Sequence, residues 1–282
     1  MSKKKKKIRP QPESLGLPRI GVESHAHIGP KHFGDDFPAV LERAAAAGLA
    51  RIGNVFLGPE DYETNAKLFA DHPEVFFILG MHPNDVGEIG PAESEAGKDV
   101  LERMRKAFAA DSRLRAVGEI GLDFYWKDVP PELQREWFIA QLELAKELDK
   151  PVVIHSRDAD QESLEMLEQF GWAGRPLLWH CFGGNTDMAA RIVANGWHIS
   201  VPGPVTYSKN EAVQEAVPTI PADRLLIETD SPYLAPEPYR GKPNEPAYIV
   251  FTAAHIAKLR GVDPEEIWRL TGENARCFFG IQ

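Results

Sequence analysis

The chain has 282 residues, 43% of them hydrophobic and 26% charged, enough to bury a sizeable core as one large domain without disulfides. Its two cysteines, Cys181 and Cys277, lie far apart, and no apolar run reaches the roughly 18 residues that span a bilayer, so neither secretion nor a membrane partner is expected and cytoplasm is the expected compartment. A net charge of −10 argues against broad coating of a nucleic-acid duplex, which draws its affinity from neutralised phosphates, so any such contact must be local.

Residues 1–18 are basic and proline-rich, with five lysines at 3–7, and carry too little apolar surface to offset their ordering entropy. A flexible arm, solvated as charge runs usually are, is expected there, followed by one domain over 19–282. From that point short apolar runs alternate with segments of helical period. The strand candidates are 20–23, 51–56, 75–79, 115–119, 151–155, 176–180, 198–201 and 225–228. Helices are expected near 37–48, 61–71, 98–110, 131–149, 160–170, 186–195, 209–217, 245–260 and 264–279. In the stretch 131–149, Leu133, Trp137, Phe138, Leu142, Ala145 and Leu148 recur at three- and four-residue intervals and make one apolar stripe behind a first-turn proline. Such an alternation fits a single-domain α/β fold, a (β/α)8 TIM-type barrel, whose active site lies at the carboxyl ends of the strands. An open doubly wound sheet is the alternative, but it would carry a glycine-rich phosphate loop after the first strand, where this chain has Ser24-His25-Ala26-His27.

Metal-capable side chains fall at that same end of several strands. His25 and His27 follow the first, Glu119 ends the fourth, His155 the fifth and His180 the sixth, and Asp230 sits just past the eighth. The two-residue spacing of His25 and His27 aims both imidazoles to one side of an extended segment, so both can reach one cation. His-x-His alone is commonly incidental, and a single histidine closing a buried strand is commonly a satisfied core residue. Two such histidines and a carboxylate exceed what packing needs, since each unpaired buried polar group costs about 1–3 kcal/mol.

The chain resembles the TatD family of metal-dependent deoxyribonucleases, within the amidohydrolase-like barrel superfamily. The matching stretches are Glu23-Ser24-His25-Ala26-His27, Gly80-Met81-His82-Pro83, Gly118-Glu119-Ile120-Gly121-Leu122-Asp123, His155-Ser156-Arg157-Asp158-Ala159 and His180-Cys181-Phe182. Two more follow: Glu228-Thr229-Asp230-Ser231-Pro232-Tyr233-Leu234-Ala235-Pro236, and Arg240-Gly241-Lys242-Pro243-Asn244-Glu245-Pro246. The resemblance implies two divalent cations, one held by His25, His27 and Asp230, the other by His155 and His180, with Glu119 bridging. Glu23 stands where the family usually has aspartate, and Gly29 where it commonly has an acidic residue.

Two cations would activate a shared water toward a phosphodiester, with Asp230 orienting and deprotonating it. Glu228 can share that face or act as a support held by backbone amides, and Asp123 can fix a ligand or touch substrate. Phosphate would be met by Arg157, Arg240, Lys242 and His82; the plainer readings are a salt bridge from Arg157 to Asp158 or Asp160 and a capped turn at His82. Tyr125, Trp126, Tyr207 and Tyr233 can stack on unpaired bases or pack on loops. DNA, with RNA open, is the expected substrate, taken as single strands or frayed ends by an exonuclease-type monomer. Hydrolysis of an amide, lactone or carboxylic or aminoacyl ester is the first rival, and a non-catalytic nucleic-acid-binding scaffold the second. Four imidazoles suit zinc, manganese, iron or nickel, while phosphodiester enzymes often use magnesium, so the metal stays open.

Overall fold

Eight parallel strands pair in chain order: β1 (Gly21–Ala26), β2 (Leu49–Leu57), β3 (Val75–Gly80), β4 (Leu114–Asp123), β5 (Val152–Arg157), β6 (Leu177–Trp179), β7 (His198–Val201) and β8 (Leu225–Ile227). The structure, a computed structural model, describes residues 9–282. Asp230 N donates to His25 O at 3.0 Å and His27 N donates to Ser231 O at 2.8 Å, so backbone bonds link the segment after β8 to the end of β1. The helices are α1 (Pro30–Phe33), α2 (Phe37–Ala46), α3 (Pro59–Asn65), α4 (Glu95–Ala110), α5 (Pro131–Glu147), α6 (Asp160–Gln169), α7 (Thr186–Ala194), α8 (Glu211–Ala216), α9 (Ile249–Arg260) and α10 (Pro264–Phe279). This is the expected (β/α)8 barrel.

Strand alternation divides the core in two. Residues such as Ile120, Leu122, Ile154 and Trp179 face the helices, where the α5 stripe of Trp137, Phe138 and Leu142 covers them. Val22, Val55, Phe76, Ile78, Ala116, Val153, Leu178 and Leu226 fill the interior, together with Ala275, Phe278 and Phe279 of α10. The interior is therefore a packed plug, as barrels of this size require, and the polar residues are confined to the other end.

Several strands run further than the apolar pattern suggests. β1 extends to Ala26, so His25 lies within it, and β4 continues four residues past Glu119, so Asp123 ends the strand and is not in a following loop. The pattern stops at the first polar residue, whereas the ladder continues because these polar side chains face the barrel mouth. β6 ends at Trp179, one residue before His180.

Of the expected arm, residues 1–8 with their lysines lie outside the described residues. Residues 9–18 lie against the barrel: Arg9 Nε donates to Pro238 O at 2.8 Å, Tyr239 OH donates to Pro10 O at 3.0 Å, and Trp268 Nε1 donates to Pro18 O at 2.8 Å. Among the described residues no helix is long and apolar enough to cross a membrane.

Candidate metal centre

Strict alternation from the interior residues Val22 and Ser24 would send His25 outward. The β1–β2 register shifts between Glu23 and Ala26, and the β4–β5 register shifts between Val117 and Ile120. Each irregularity resets the alternation and turns the next functional side chain, His25 or Glu119, toward the interior, which is what a bulge beside a site does. Gly121 then brings β4 against β5: a Cβ there would lie 2.0 Å from His155 O, and its φ of +144° suits only glycine.

Glu119 is the hub. Its Oε1 lies 3.4 Å from His27 Nε2 and 3.7 Å from His25 Nε2, and its Oε2 lies 2.9 Å from His180 Nε2 and 3.1 Å from His155 Nδ1. Asp230 Oδ1 stands 3.4 Å from His27 Nε2 and 3.9 Å from His25 Nε2. Neither His25 nitrogen has a hydrogen-bond partner, nor does His180 Nε2, although both residues are buried. Orphaned nitrogens are costly unless something electropositive meets them. Donor separations of roughly 3–4 Å are those of ligands about 2 Å from a common cation, so the donor set fits metal binding. Three-donor groups form around His25, His27 and Asp230, around His25, Glu119 and His180, and around His82, Glu119 and His155. His155 and His180 thus address the same Glu119 oxygen from different groups.

A supporting layer fixes the rings. His155 Nε2 meets Asp123 Oδ2 at 3.1 Å, and Asp123 in turn accepts from Asn84 Nδ2 at 3.0 Å and from the amides of Tyr125 and Trp126. His180 Nδ1 meets Glu228 Oε1 at 3.2 Å, and the same oxygen accepts from Cys181 N at 2.6 Å. Glu228 is fully buried. Glu23 makes no hydrogen bond to the imidazoles. Its Oε1 accepts from His25 N and Thr229 N, both at 3.0 Å, and pins β1 to the chain after β8. Cys181 and Asp230 hold φ values of 51° and 54°, left-handed for non-glycine residues, a conformation that the bonds from Cys181 N and Asp230 N keep in place.

Electrostatics follow from this packing. Burial raises the Glu119 carboxyl, but charge on His180 and the hydrogen bond with His155 outweigh it and hold Glu119 well below the usual range. Burial also opposes ionisation of Asp230, and the bond to His27 reverses the shift downward. Asp123 is brought to about 2 when the bond from His155 overcomes its desolvation. His82 is lowered to about 3 by burial and by neighbouring His155, whose ring centroid is 4.4 Å away, so it is neutral at pH 7. Its Nδ1 accepts from Asn84 N at 3.1 Å, which leaves the proton on Nε2 as a donor.

The profile of TatD related DNases matches residues 22–280. The chain belongs to the TatD DNase family. An uncharacterized metal-dependent hydrolase of Bacillus subtilis, YabD, is 35% identical over 259 residues, covering 92% of this chain and 98% of that protein. A 3′-5′ ssDNA/RNA exonuclease TatD of Escherichia fergusonii is 34% identical over 93% of this chain and 98% of its own. The TatD homologue YJJV of Escherichia coli superposes with a TM-score of 0.84 at 28% identity, over 94% of this chain and 99% of that one. The chain is therefore a TatD-family metal-dependent hydrolase.

The remaining expected residues rim the mouth of this TatD barrel. Arg157 lies over the Tyr125 ring, 3.9 Å from its centroid, and not against Asp158 or Asp160; Asp160 accepts from Ser156 Oγ instead. Arg240 lies over Tyr207 at 4.1 Å, and Lys242 is exposed. Buried amides were the class that motif reading passed over. Gln134 Oε1 accepts from Asp123 N at 2.8 Å, Gln141 Oε1 accepts from Met81 N at 2.7 Å, and Asn54 Oδ1 accepts from Ile28 N at 2.7 Å. Gln134 and Gln141 are seven residues apart on the apolar stripe of α5, and a polar pair on a buried face was the available signal.

Proposed function

We propose that this TatD-family hydrolase binds two divalent cations and cleaves the terminal phosphodiester of single-stranded or frayed DNA, with RNA accepted, as a monomer in the cytoplasm. The observation that carries the reading is Glu119, each of whose oxygens faces two imidazoles, the arrangement of a bridging carboxylate. His25, His27 and Asp230 would hold one ion, and His155 and His180 the other. When bound, the ions supply Lewis acidity toward the phosphate oxygens and an acidified water.

The chain's own residues do the rest. Asp230 is ionised, and its side chain at 15% exposure is more open than that of Glu119 at 5%, so it can take the proton of a water attacking phosphorus and pass it to the departing oxygen. Asp123 and Glu228 keep His155 and His180 turned toward Glu119. His82 Nε2–H donates to a non-bridging phosphate oxygen, and Arg157, Arg240 and Lys242 meet the neighbouring phosphates. Two arginines stacked on tyrosines at the rim suit a strand whose bases are unpaired. The exonuclease named among the relatives supports the same substrate class. The test is digestion of end-labelled single strands by metal-stripped and metal-restored protein, with Glu119→Gln as control. Mononucleotide products that depend on metal and on Glu119 are expected; equal rates on closed circular and linear duplex, or hydrolysis of carboxylic esters alone, would refute the reading.

A further inference from the structure

The mouth of the barrel is electrostatically lopsided. The free cations and stacking rings lie over β4, β5, β7 and β8: Arg157 on Tyr125, Trp126 beside them, and Arg240 on Tyr207. Over the ends of β1, β2 and β3 the mouth instead opens into a pocket of about 450 Å³ that reaches the centre at His27. This volume lies within the roughly 300–1,000 Å³ that takes a small molecule.

Its walls combine apolar and acidic groups. Ile28, Met81 and Ile89 give apolar surface, while Glu60, Asp61, Asp85 and Glu88 contribute carboxylates. Of its cations, Arg103 is already paired with Glu63, so Lys31 and His32 stand against the four carboxylates. Asp61 accepts from Leu57 N and Asn65 Nδ2, so it is occupied, whereas Asp85 and Glu88 have no ion-pair or side-chain hydrogen-bond partner among the described residues. Carboxylates accept hydrogen bonds and repel anions. A neutral sugar and base, rich in hydroxyl and amino donors, suits such walls, and a phosphate does not.

We propose that this pocket receives the terminal nucleoside of the strand, and that Asp85 and Glu88 make it select an end carrying a free hydroxyl over one carrying a phosphate. The strand then enters across the cationic, aromatic side, sets its last phosphodiester over Glu119, and ends with its terminal nucleoside beside Asp85 and Glu88. The proposal rests on the nuclease reading above and adds the structural reason for action at an end.

Three measurements test it, using metal-loaded full-length protein. Wild-type protein is compared on single strands ending in a 3′-hydroxyl or a 3′-phosphate; the hydroxyl end is expected to react at least about ten-fold faster in kcat/KM. The double variant Asp85→Asn with Glu88→Gln should narrow that ratio to about three-fold or less, chiefly by speeding the phosphate-ended strand. Thr64→Trp, at an exposed lining position, should slow the hydroxyl strand about ten-fold and leave methyl p-nitrophenyl phosphate, which is too small to need the pocket, unchanged. Equal wild-type rates on the two ends, a ratio unmoved by the double variant, or a Thr64→Trp protein that treats the strand normally would overturn the pocket assignment with the nuclease reading intact. A wild-type protein that hydrolyses the small diester and cleaves no strand would sink both.

Discussion

Replacing Glu228 by alanine removes the one oxygen shared by His180 Nδ1 and Cys181 N, at 3.2 and 2.6 Å, from a position with no solvent access. Two buried donors are left unpaired at about 1–3 kcal/mol each, so a loss of roughly 2–6 kcal/mol of stability is expected for metal-free protein. The ring of His180 is also freed to rotate away from Glu119, and loss of such an orienting partner typically weakens metal binding about 10–100-fold. Glu228→Gln separates the two effects. Its carbonyl can still accept both bonds, and the amide nitrogen takes the place of Oε2, which already has no partner, so stability should fall by only about 1 kcal/mol. The assays are urea denaturation of metal-free protein and titration against a chromophoric chelator. An alanine variant with an unchanged urea midpoint and metal affinity within about three-fold of wild type would refute the reasoning. A variant that is destabilised but binds metal normally would reduce Glu228 to a backbone cap.

Three further outcomes follow from other parts of the structure. His198 packs 5.2 Å from Phe278, and burial with nearby Arg224 lowers it to about 4, so its neutral form is favoured in the fold. Its cost is absent above the unfolded value near 6.5, appears as pH falls below it and is complete below about 4, reaching up to about 2–3 kcal/mol after allowance for partial exposure; a His198→Gln protein should therefore lose less urea stability between pH 7 and pH 5, and equal losses would count against the assignment. Gly121→Ala drives a methyl into His155 O and should cost about 3 kcal/mol or more, together with metal binding, as read by denaturation and elemental analysis; a normally metallated, stable protein would contradict the close approach of β4 to β5. Alanine at both Arg240 and Lys242 should raise KM for a single strand and flatten its log–log salt dependence by about 1.4, leaving methyl p-nitrophenyl phosphate untouched; an unchanged salt slope would place the phosphates elsewhere.

The eight strands were legible because each is a short apolar run closed by glycine, proline or a polar residue, and their alternation with helices leaves few topologies. Strand extents were not, because β1 and β4 keep their ladders while carrying His25, Glu119 and Asp123, and a hydrophobic pattern cannot tell a polar residue facing the mouth from one facing solvent. All six expected metal-site residues converge, since strand ends in a barrel share one rim. Their pairing was harder to read: His180 stacks on His25 at 3.9 Å, and His82 leans on His155, both consequences of barrel curvature. The acidic pocket left no motif, as its walls come from three separate loops with their short helices, from β2 and from α4.

The two register shifts explain why one barrel can be apolar below and ionic above. Below them, Val22 and Ala116 face inward and meet Phe76, Val153 and the rings of α10. Above them, the alternation is reset and His25 and Glu119 face inward in turn. Without the shifts, inward positions on these strands would fall to Ala26 and Ile120, and the carboxylate hub would point into the helical layer, where an unpaired charge is prohibitively costly. The centre thus depends on two backbone irregularities as much as on its ligands. Changes in the lower plug, such as Phe279→Leu, should alter stability while leaving metal affinity per folded molecule in place.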